Sequence, residues 1–503
     1  MEKKAEKIGI GIIGCGRISD LHVRGYASFP EAEIRAVCDA DKETARRRKD
    51  EWGASACYTD YRELLADDGV DAVDILTPHL LHEEMALSSL AAGKHTAVQK
   101  PMTVDMASTK RMIAAAEKSN RVFKVTENYV FYPPIVKARE LIDSGAIGEP
   151  QNIRIHLLAA GSGGWKIPNE AWAWRMKEFV EGRGMQTFDH GHHLWSTAWF
   201  LLGSFEEVTA WIDNINGLVD SPAVMMWKHR KPGRYGTCSF SYSGDMILPS
   251  DYYANDEWIE VSGSSGVLRI HRCTGRLVTG AVISLYNRQG WQYIDDVPCD
   301  WQLGFTGAMQ NFLLAIRGEA SPALSAAEAG EIMAMDLAVQ KSARLQRSVY
   351  LDEMTETRPE ILARKKRRHK IKALGDFRKG MLNESRTEKG QDTLAGQAEK
   401  LTLALKEKID MSGLNEWKAV LGLDLTGEGV GSGRYTFSFD KGTLRIDRGT
   451  LPENCDLLIT VRPEIWAALL LKKRKMQTAF LQGKLKLKGD LDYAFKLKDA
   501  LGL

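Results

Sequence analysis

Residues 8–19 read IGIGIIGCGRIS, and this stretch decides the fold of the first third of the chain. Its apolar run predicts a buried strand, and the glycines after it predict a tight turn into a helix. Gly14 permits the turn, and Gly16 lets the backbone approach a pyrophosphate at the helix N-terminus, beside Arg17 and Ile18. Ser19, at the third glycine position, is small enough for close helix–strand packing. The sequence therefore predicts a dinucleotide site.

An acidic residue after the second predicted strand indicates which dinucleotide binds. Asp39 follows Gly16 by 23 residues, at the end of the strand predicted over 34–38. A carboxylate there accepts hydrogen bonds from both ribose hydroxyls and repels a 2′-phosphate. We therefore expect NAD in preference to NADP, with the basic run at 46–48 keeping NADP as an alternative.

The first 127 residues alternate short apolar runs with helical patterns, which is typical of βαβ units and a parallel sheet. They are predicted to form an NAD-binding Rossmann domain. Its strands are expected at 8–13, 34–38, 72–76, 95–98 and 122–126.

Residues 128–357 have a different pattern, with longer alternating strands bounded by Gly, Pro and Asp turns. This pattern predicts an α+β domain with a mostly antiparallel sheet. Strands are expected at 152–158, 207–212, 236–242, 258–262, 266–270, 282–286 and 348–351, and helices at 134–144, 191–202, 306–316 and 326–347.

Several motifs together resemble one enzyme family. They are TPHLLH at 77–82, QKP at 99–101, NY at 128–129, LIDSGAIG at 141–148 and Asp189 four residues before His193. As a set, over about residues 5–355, they resemble the glucose–fructose oxidoreductase, inositol dehydrogenase and rhizopine-catabolism (Gfo/Idh/MocA) family. Members of that family oxidise or reduce sugars, inositols and related polyols with a nicotinamide cofactor.

The resemblance implies a catalytic set of Lys100, Asp189 and His193. A base of near-neutral pKa suits proton removal from an alcohol, which is the role expected of His193. Lys100 would donate to the developing oxyanion. Asp189, at helical i, i+4 spacing, would orient His193. Gln99 stands where the family usually has Glu, which leaves the protonation state of Lys100 open.

The resemblance and the glycine-rich turn also imply which residues line the binding site. The cofactor is expected to contact Gly14, Gly16, Arg17, Ile18, Asp39, Thr77, Pro78, His82, Gln99, Lys100 and Asn128. The substrate is expected to contact Tyr129, Trp165, Trp174, Arg175 and His192. Tryptophan faces suit the C–H face of a sugar, although ordinary core packing explains them equally well.

The run DHGHH at 189–193 also suggests metal ligands, but its spacing matches no known closed site. No metal site is predicted.

The last part of the chain follows a basic stretch. Residues 358–392 contain RKKRRHK and are predicted to be a basic linker. Residues 393–503 resemble the sterol carrier protein 2 family, carried by FLQGKLKLKGD at 480–490 and by Trp466 in a helix after an apolar strand and a proline. That resemblance implies an α+β sterol-carrier-like domain enclosing a lipid or an apolar aglycone. A packed accessory module without lipid is the alternative.

Composition limits the classes of protein to which this chain could belong. The 503-residue chain has 44% hydrophobic and 27% charged residues and a net charge of +2. Residues 1–360 are acidic, with 39 Lys and Arg against 48 Asp and Glu, so no nucleic-acid partner is expected. No apolar run is long enough for a membrane span. Seven scattered cysteines without a Cys-x-x-Cys pair fit reduced thiols in the cytoplasm.

The sequence thus predicts an NAD-dependent oxidoreductase acting on a hydroxyl of a sugar, cyclitol or glycoside, with proton transfer by His193 and Lys100. The resemblance implies that residues 128–357 serve substrate binding and oligomerisation, in a homo-oligomer that is a dimer or tetramer. One alternative is an NAD-retaining enzyme that cleaves glycosides by transient oxidation and elimination. Another is a non-catalytic NAD sensor or lipid-binding scaffold.

Overall fold

The computed structural model describes residues 7–166, 168–214, 219–271, 280–361, 394–409, 416–427, 431–474 and 476–501. The chain divides into two compact units, residues 1–362 and 363–503. The predicted basic linker at 358–392 lies almost entirely outside the described residues.

The first sheet has six parallel strands in the order β3-β2-β1-β4-β5-β6. This is the doubly wound order in which a ligand binds at the carboxyl ends of the strands. The strands are β1 (Ile8–Ile13), β2 (Ala32–Cys38), β3 (Ala56–Tyr58), β4 (Ala72–Ile75), β5 (His95–Gln99) and β6 (Phe123–Thr126). The helices are α1 (Ser19–Ala27), α2 (Lys42–Trp52), α3 (Tyr61–Leu65), α4 (His82–Ala91) and α5 (Met106–Lys118).

The second sheet has nine strands in the order β14-β13-β12-β11-β7-β10-β9-β8-β15. Its β7–β10 pair is parallel and the other pairs are antiparallel. The strands are β7 (Pro150–Ser162), β8 (Phe205–Ile212), β9 (Ala223–His229), β10 (Tyr235–Ile247), β11 (Asn255–Gly263), β12 (Val267–Ile270), β13 (Ile283–Asn287), β14 (Gly290–Ile294) and β15 (Val349–Tyr350).

Helices cover one face of this sheet and connect it to the first. They are α6 (Pro133–Asp143), α7 (Asn169–Val180), α8 (Gly191–Leu202), α9 (Gln302–Ile316) and α10 (Ala326–Leu345), with a π-helical segment at Met185–His190 directly before α8. Helix α9 returns to the first sheet, where Ala308, Met309 and Phe312 share a core with β1. The chain thus crosses between the two layers more than once.

The unit 363–503 has its own five-stranded sheet, in the order β18-β17-β16-β19-β20. Its strands are β16 (Lys418–Leu425), β17 (Gly433–Asp440), β18 (Thr443–Arg448), β19 (Leu457–Val461) and β20 (Leu485–Gly489). Its helices are α11 (394–403), α12 (Leu405–Lys408), α13 (Pro463–Leu470), α14 (Met476–Leu481) and α15 (Leu491–Ala500). Trp466 is buried in this core and donates its indole N–H to Thr402 at 2.9 Å.

The predicted fold class, a Rossmann domain, an α+β domain and a C-terminal α+β domain, is confirmed. The five predicted strands of the first sheet are present, but β3, β9, β14, β16 and α7 were not predicted. Strand β3 has only three residues, and β9 contains alanine and lysine, which are depleted in strands. In the described part of the chain, no helix is long and apolar enough to cross a membrane.

Candidate active site

A cleft of about 1670 Å³ opens at the carboxyl ends of the strands of the first sheet. Its other wall comes from β7, α7 and the π-helical segment. The volume exceeds that of a typical single-ligand pocket, so the cleft has room for a dinucleotide and a substrate. Most of the predicted site residues line it: Gly14, Gly16, Arg17, Ile18, Asp39, Thr77, Pro78, Gln99, Lys100, Asn128, Trp165, Trp174, Arg175, Asp189 and His193.

The turn after β1 has the backbone geometry that a pyrophosphate requires. Gly14 has φ +93°, and a Cβ there would lie 2.7 Å from the carbonyl oxygen of Leu76, so only glycine fits. At Gly16 a Cβ would meet no atom within 4 Å, which leaves the backbone open to the cleft. Among the described residues, no backbone hydrogen bond uses the N–H groups of Gly16, Arg17 or Ile18. These donors are free to bind phosphate oxygens.

Asp39 is fixed at the end of β2 by two backbone hydrogen bonds. Its Oδ2 accepts from the N–H of Cys15 and its Oδ1 from the N–H of Asp41, both at 2.9 Å. The carboxylate is therefore held beside the glycine turn, where a ribose attached to the bound pyrophosphate would lie.

Lys100 connects the first sheet to the π-helical segment. It follows β5, and its Nζ donates to the carbonyl oxygen and to Oδ1 of Asp189, both at 2.7 Å. Arg175 of α7 donates to Oδ2 of Asp189 at 3.2 Å. Burial alone would raise the pKa of Asp189, but the charges of Lys100 and Arg175 hold it well below its usual range. Asp189 is thus an ionised carboxylate shared by two cations.

His193 is oriented by Glu127, and the predicted orientation by Asp189 is wrong. Nδ1 of His193 lies 2.6 Å from Oε1 of Glu127, and among the described residues no hydrogen bond joins His193 to Asp189. The prediction assumed α-helical spacing. The π-helical winding, in which the N–H of Asp189 bonds to the carbonyl of Gly184, rotates Asp189 away from His193.

Burial and their mutual attraction set the charges of His193 and Glu127. Burial lowers the pKa of His193 to about 4, although Glu127 opposes the shift. Burial would raise the pKa of Glu127, but the attraction of His193 and their hydrogen bond lower it to about 2. At neutral pH, Glu127 is ionised and His193 is neutral, with its proton on Nδ1. Nε2 is left as the basic atom toward the cleft.

Glu127 was missed by the sequence analysis. It is fully buried, directly after β6, and its Oε1 also accepts from the N–H of Tyr129 at 2.9 Å. Its position between a strand and the Asn128-Tyr129 motif was the available signal, because carboxyl ends of parallel strands face the site.

Three predicted contact residues do not line the cleft. His82 is buried, and its two ring nitrogens lie 2.9 Å from the carbonyl oxygens of Thr77 and Pro101, so it packs against the turns that carry cofactor residues. Tyr129 is fully buried and stacks on His193 with ring centroids 4.4 Å apart. His192 is fully buried, and its Nδ1 lies 2.5 Å from Oδ2 of Asp336. It therefore lies on the opposite side of α8 from the cleft wall.

The histidines of residues 190–193 do not converge on one point. His190 contacts Glu257, His192 contacts Asp336 and His193 contacts Glu127. Within the described ranges, no group of three or more His, Cys, Asp or Glu side chains is placed to hold a metal ion.

The parallel sheet, its open glycine turn and the cleft define a dinucleotide-binding protein. Residues 8–127 match the model of the oxidoreductase family with an NAD-binding Rossmann fold, and residues 135–269 match the Gfo/Idh/MocA C-terminal domain. The chain belongs to the Gfo/Idh/MocA family, fused to a segment, residues 398–502, that matches the SCP-2 sterol transfer family.

Curated relatives and solved structures share the first unit. Myo-inositol 2-dehydrogenase of Thermotoga maritima is 25% identical over 353 residues, 69% of this chain and 99% of that protein. D-apiose dehydrogenase of Paraburkholderia graminis is 24% identical over 70% of this chain and 91% of that protein. An oxidoreductase from Agrobacterium radiobacter, solved with NAD⁺, L-tartaric acid and magnesium, has a TM-score of 0.61 at 22% identity over 69% of this chain and 99% of that chain.

Replacement of Asp39 by Asn should weaken NAD⁺ binding by about tenfold, since a neutral amide accepts less strongly from the ribose hydroxyls. It should also narrow the preference for NAD⁺ over NADP⁺, because the repelling charge is lost. Titration calorimetry with both nucleotides measures this. Unchanged affinities for both would contradict the placement of the ribose at Asp39.

Replacement of Glu127 by Gln should reduce kcat by roughly 10²–10⁴-fold, since the amide no longer fixes the Nδ1–H tautomer of His193. NAD⁺ affinity should change little. The matched control is Glu117→Gln, at an exposed position of α5. Equal kcat values for the two variants would exclude Glu127 as the residue that orients His193.

Proposed function

We propose that this chain oxidises a secondary hydroxyl of a sugar or cyclitol and transfers the hydride to the nicotinamide of NAD⁺. The observation that carries the proposal is the placement of Lys100 and His193 in the same cleft as the glycine turn and Asp39. The relatives named for myo-inositol, D-apiose and levoglucosan support this substrate class. NAD⁺ supplies the hydride acceptor when it is bound.

His193 is the proposed base. Its Nδ1–H is committed to Glu127, so Nε2 takes the hydroxyl proton as the alcohol becomes a carbonyl. Burial keeps the imidazole neutral before the reaction, and the ionised Glu127 stabilises the imidazolium that forms.

Lys100 is the proposed partner of the reacting oxygen. An ammonium group has three donors, and two of them are used by the carbonyl and carboxylate of Asp189. The third is available to a hydroxyl in the cleft. A positive charge held there stabilises the alkoxide that develops during hydride transfer.

The aromatic lining supports a ring-shaped substrate. Trp165, Trp172, Trp174, Tyr253 and Trp301 all line the cleft. The guanidinium of Arg17 lies 5.0 Å from the ring of Trp165, which connects the glycine turn to this wall. Indole faces pack well on the C–H faces of sugars and cyclitols and on apolar aglycones.

A homo-oligomer is proposed through the uncovered face of the nine-stranded sheet. Exposed aromatic and aliphatic side chains occupy both ends of this face: Trp211, Val224 and Met226 on β8 and β9, and Tyr286, Trp291 and Tyr293 on β13 and β14. Apolar patches of this kind mark interaction surfaces.

For the unit 363–503 we propose binding of a lipid or an apolar aglycone with one polar end. The match to the SCP-2 sterol transfer family supports this. A second support is that the buried hydroxyl of Tyr435 and the indole N–H of Trp417 have no hydrogen-bond partner among the described residues. Unpaired polar atoms in an apolar core are costly unless a ligand or water satisfies them.

Replacement of His193 or Lys100 by Ala should lower NADH formation from myo-inositol, D-apiose or levoglucosan by roughly 10²–10⁴-fold, since each removes a proton-transfer or charge-stabilising group. NADH binding, followed by fluorescence, should persist. Lys110→Ala, at an exposed site on α5, is the matched control. Normal turnover in either site variant would exclude the assigned roles.

Extraction of the purified full-length protein should release a lipid or apolar compound that mass spectrometry identifies. Tyr435→Phe should reduce the amount retained by about fivefold or more, because the hydroxyl is the proposed partner of the polar end. An empty extract, with no uptake of cholesterol or oleate by the wild type, would favour a packed module without lipid.

A further inference from the structure

A second histidine in the cleft is paired with a buried carboxylate. Nε2 of His190 lies 2.5 Å from Oε1 of Glu257, and both His190 and His193 line the cleft. Hydride transfer from an alcohol requires only one base. Resting on the proposed function, we infer that His190 and Glu257 form a second proton-transfer pair, which removes a proton from the carbon next to the newly formed carbonyl.

The carboxylate of this pair is strongly fixed. Glu257 is fully buried on β11, and the single O–H of Tyr129 donates between its two oxygens, which lie 3.0 and 2.9 Å from the phenol oxygen. Burial would raise the pKa of Glu257, but the neighbouring His190 and these hydrogen bonds lower it. An ionised Glu257 accepts the Nε2–H of His190, which fixes the tautomer of the imidazole.

Nδ1 of His190 is then the unprotonated nitrogen. It lies 3.4 Å from the side-chain nitrogen of Asn255, at the outer limit of a hydrogen bond, and Asn255 itself lines the cleft. The pair therefore mirrors Glu127 and His193: a buried carboxylate holds one ring nitrogen, and the other nitrogen is left basic.

The two imidazoles are spaced to act on one substrate. Their ring centroids lie 5.3 Å apart at an interplanar angle of 71°, and Tyr129 lies between the two pairs, stacked on His193 and bonded to Glu257. Two bases at this separation reach different carbons of one six-membered ring. His193 serves the hydroxyl that is oxidised, and His190 serves a neighbouring carbon.

The second step uses the carbonyl that the first one creates. The bond between the adjacent carbon and its hydrogen breaks, and the proton goes to Nδ1 of His190. The electron pair forms a carbon–carbon double bond, and the carbonyl π electrons move to the oxygen, which becomes an enolate held by the ammonium of Lys100. Return of a proton from His190 regenerates the ketone. No further oxidant or reductant is needed, and the measurable consequence is exchange of that hydrogen with solvent.

The test uses the full-length protein in ²H₂O with NAD⁺ and, separately, myo-inositol, D-apiose and levoglucosan. NADH is followed by absorbance, and deuterium in the ketone product is followed by mass spectrometry, with a protein-free sample for spontaneous exchange. Simple hydride transfer puts no solvent hydrogen on carbon. The expected result for the wild type is a ketone with one solvent deuterium on the adjacent carbon.

Variants identify the responsible group. His190→Gln and Glu257→Gln should each lower the ratio of deuterium incorporated to NADH formed by about tenfold or more. His192→Gln, the same change at the buried neighbouring histidine, should leave this ratio unchanged. NADH without deuterium in the wild type, or an equal ratio in His190→Gln, overturns the inference and leaves the proposed function intact. No NADH from any of the three probes overturns the proposed function, and the inference with it.

Discussion

The ion pair between Lys100 and Asp189 is the contact on which the arrangement of the site depends. It joins the end of β5 to the π-helical segment, and Nζ lies 2.7 Å from both the carbonyl and the carboxylate oxygen. Both partners are largely buried, so removal of Asp189 would leave Lys100 and Arg175 without their shared counter-charge, which is far more costly than loss of an exposed ion pair. The same contact brings α8, which begins at Gly191, and therefore His193, to the cofactor side of the cleft.

Two histidines that line the cleft are held in place in the same way. Their imidazoles are held by buried carboxylates, His193 by Glu127 and His190 by Glu257. A carboxylate behind an imidazole fixes its tautomer and directs the second nitrogen to the ligand. Tyr129 packs between the two pairs, which is a positioning role in place of the substrate contact expected of it. The orientation of these two imidazoles is thus set by residues that do not line the cleft.

The sequence predicted the first sheet well because its strands are apolar runs followed by glycine or by a short polar motif. Strand β3 was not predicted, because a run of three residues is too short to show a periodic pattern.

In the site, Gly14, Gly16 and Asp39 were predicted by a motif whose spacing is dictated by the dinucleotide itself, and the structure brings them to one cleft. The partner of His193 was not predictable by spacing. A π-helical turn changes which side chains face each other, and Glu127, which follows β6, lies 66 residues away in the sequence.

The central claim is that His193 is neutral through burial and is oriented by Glu127. The pH dependence of hydride transfer in a single turnover tests this claim most directly. With a pKa of about 4, His193 is already neutral at pH 5. The rate of NADH formation should therefore be constant from pH 5 to 7.5. A rate that falls with decreasing pH around 6.5, the ordinary pKa of an imidazole, would contradict the account.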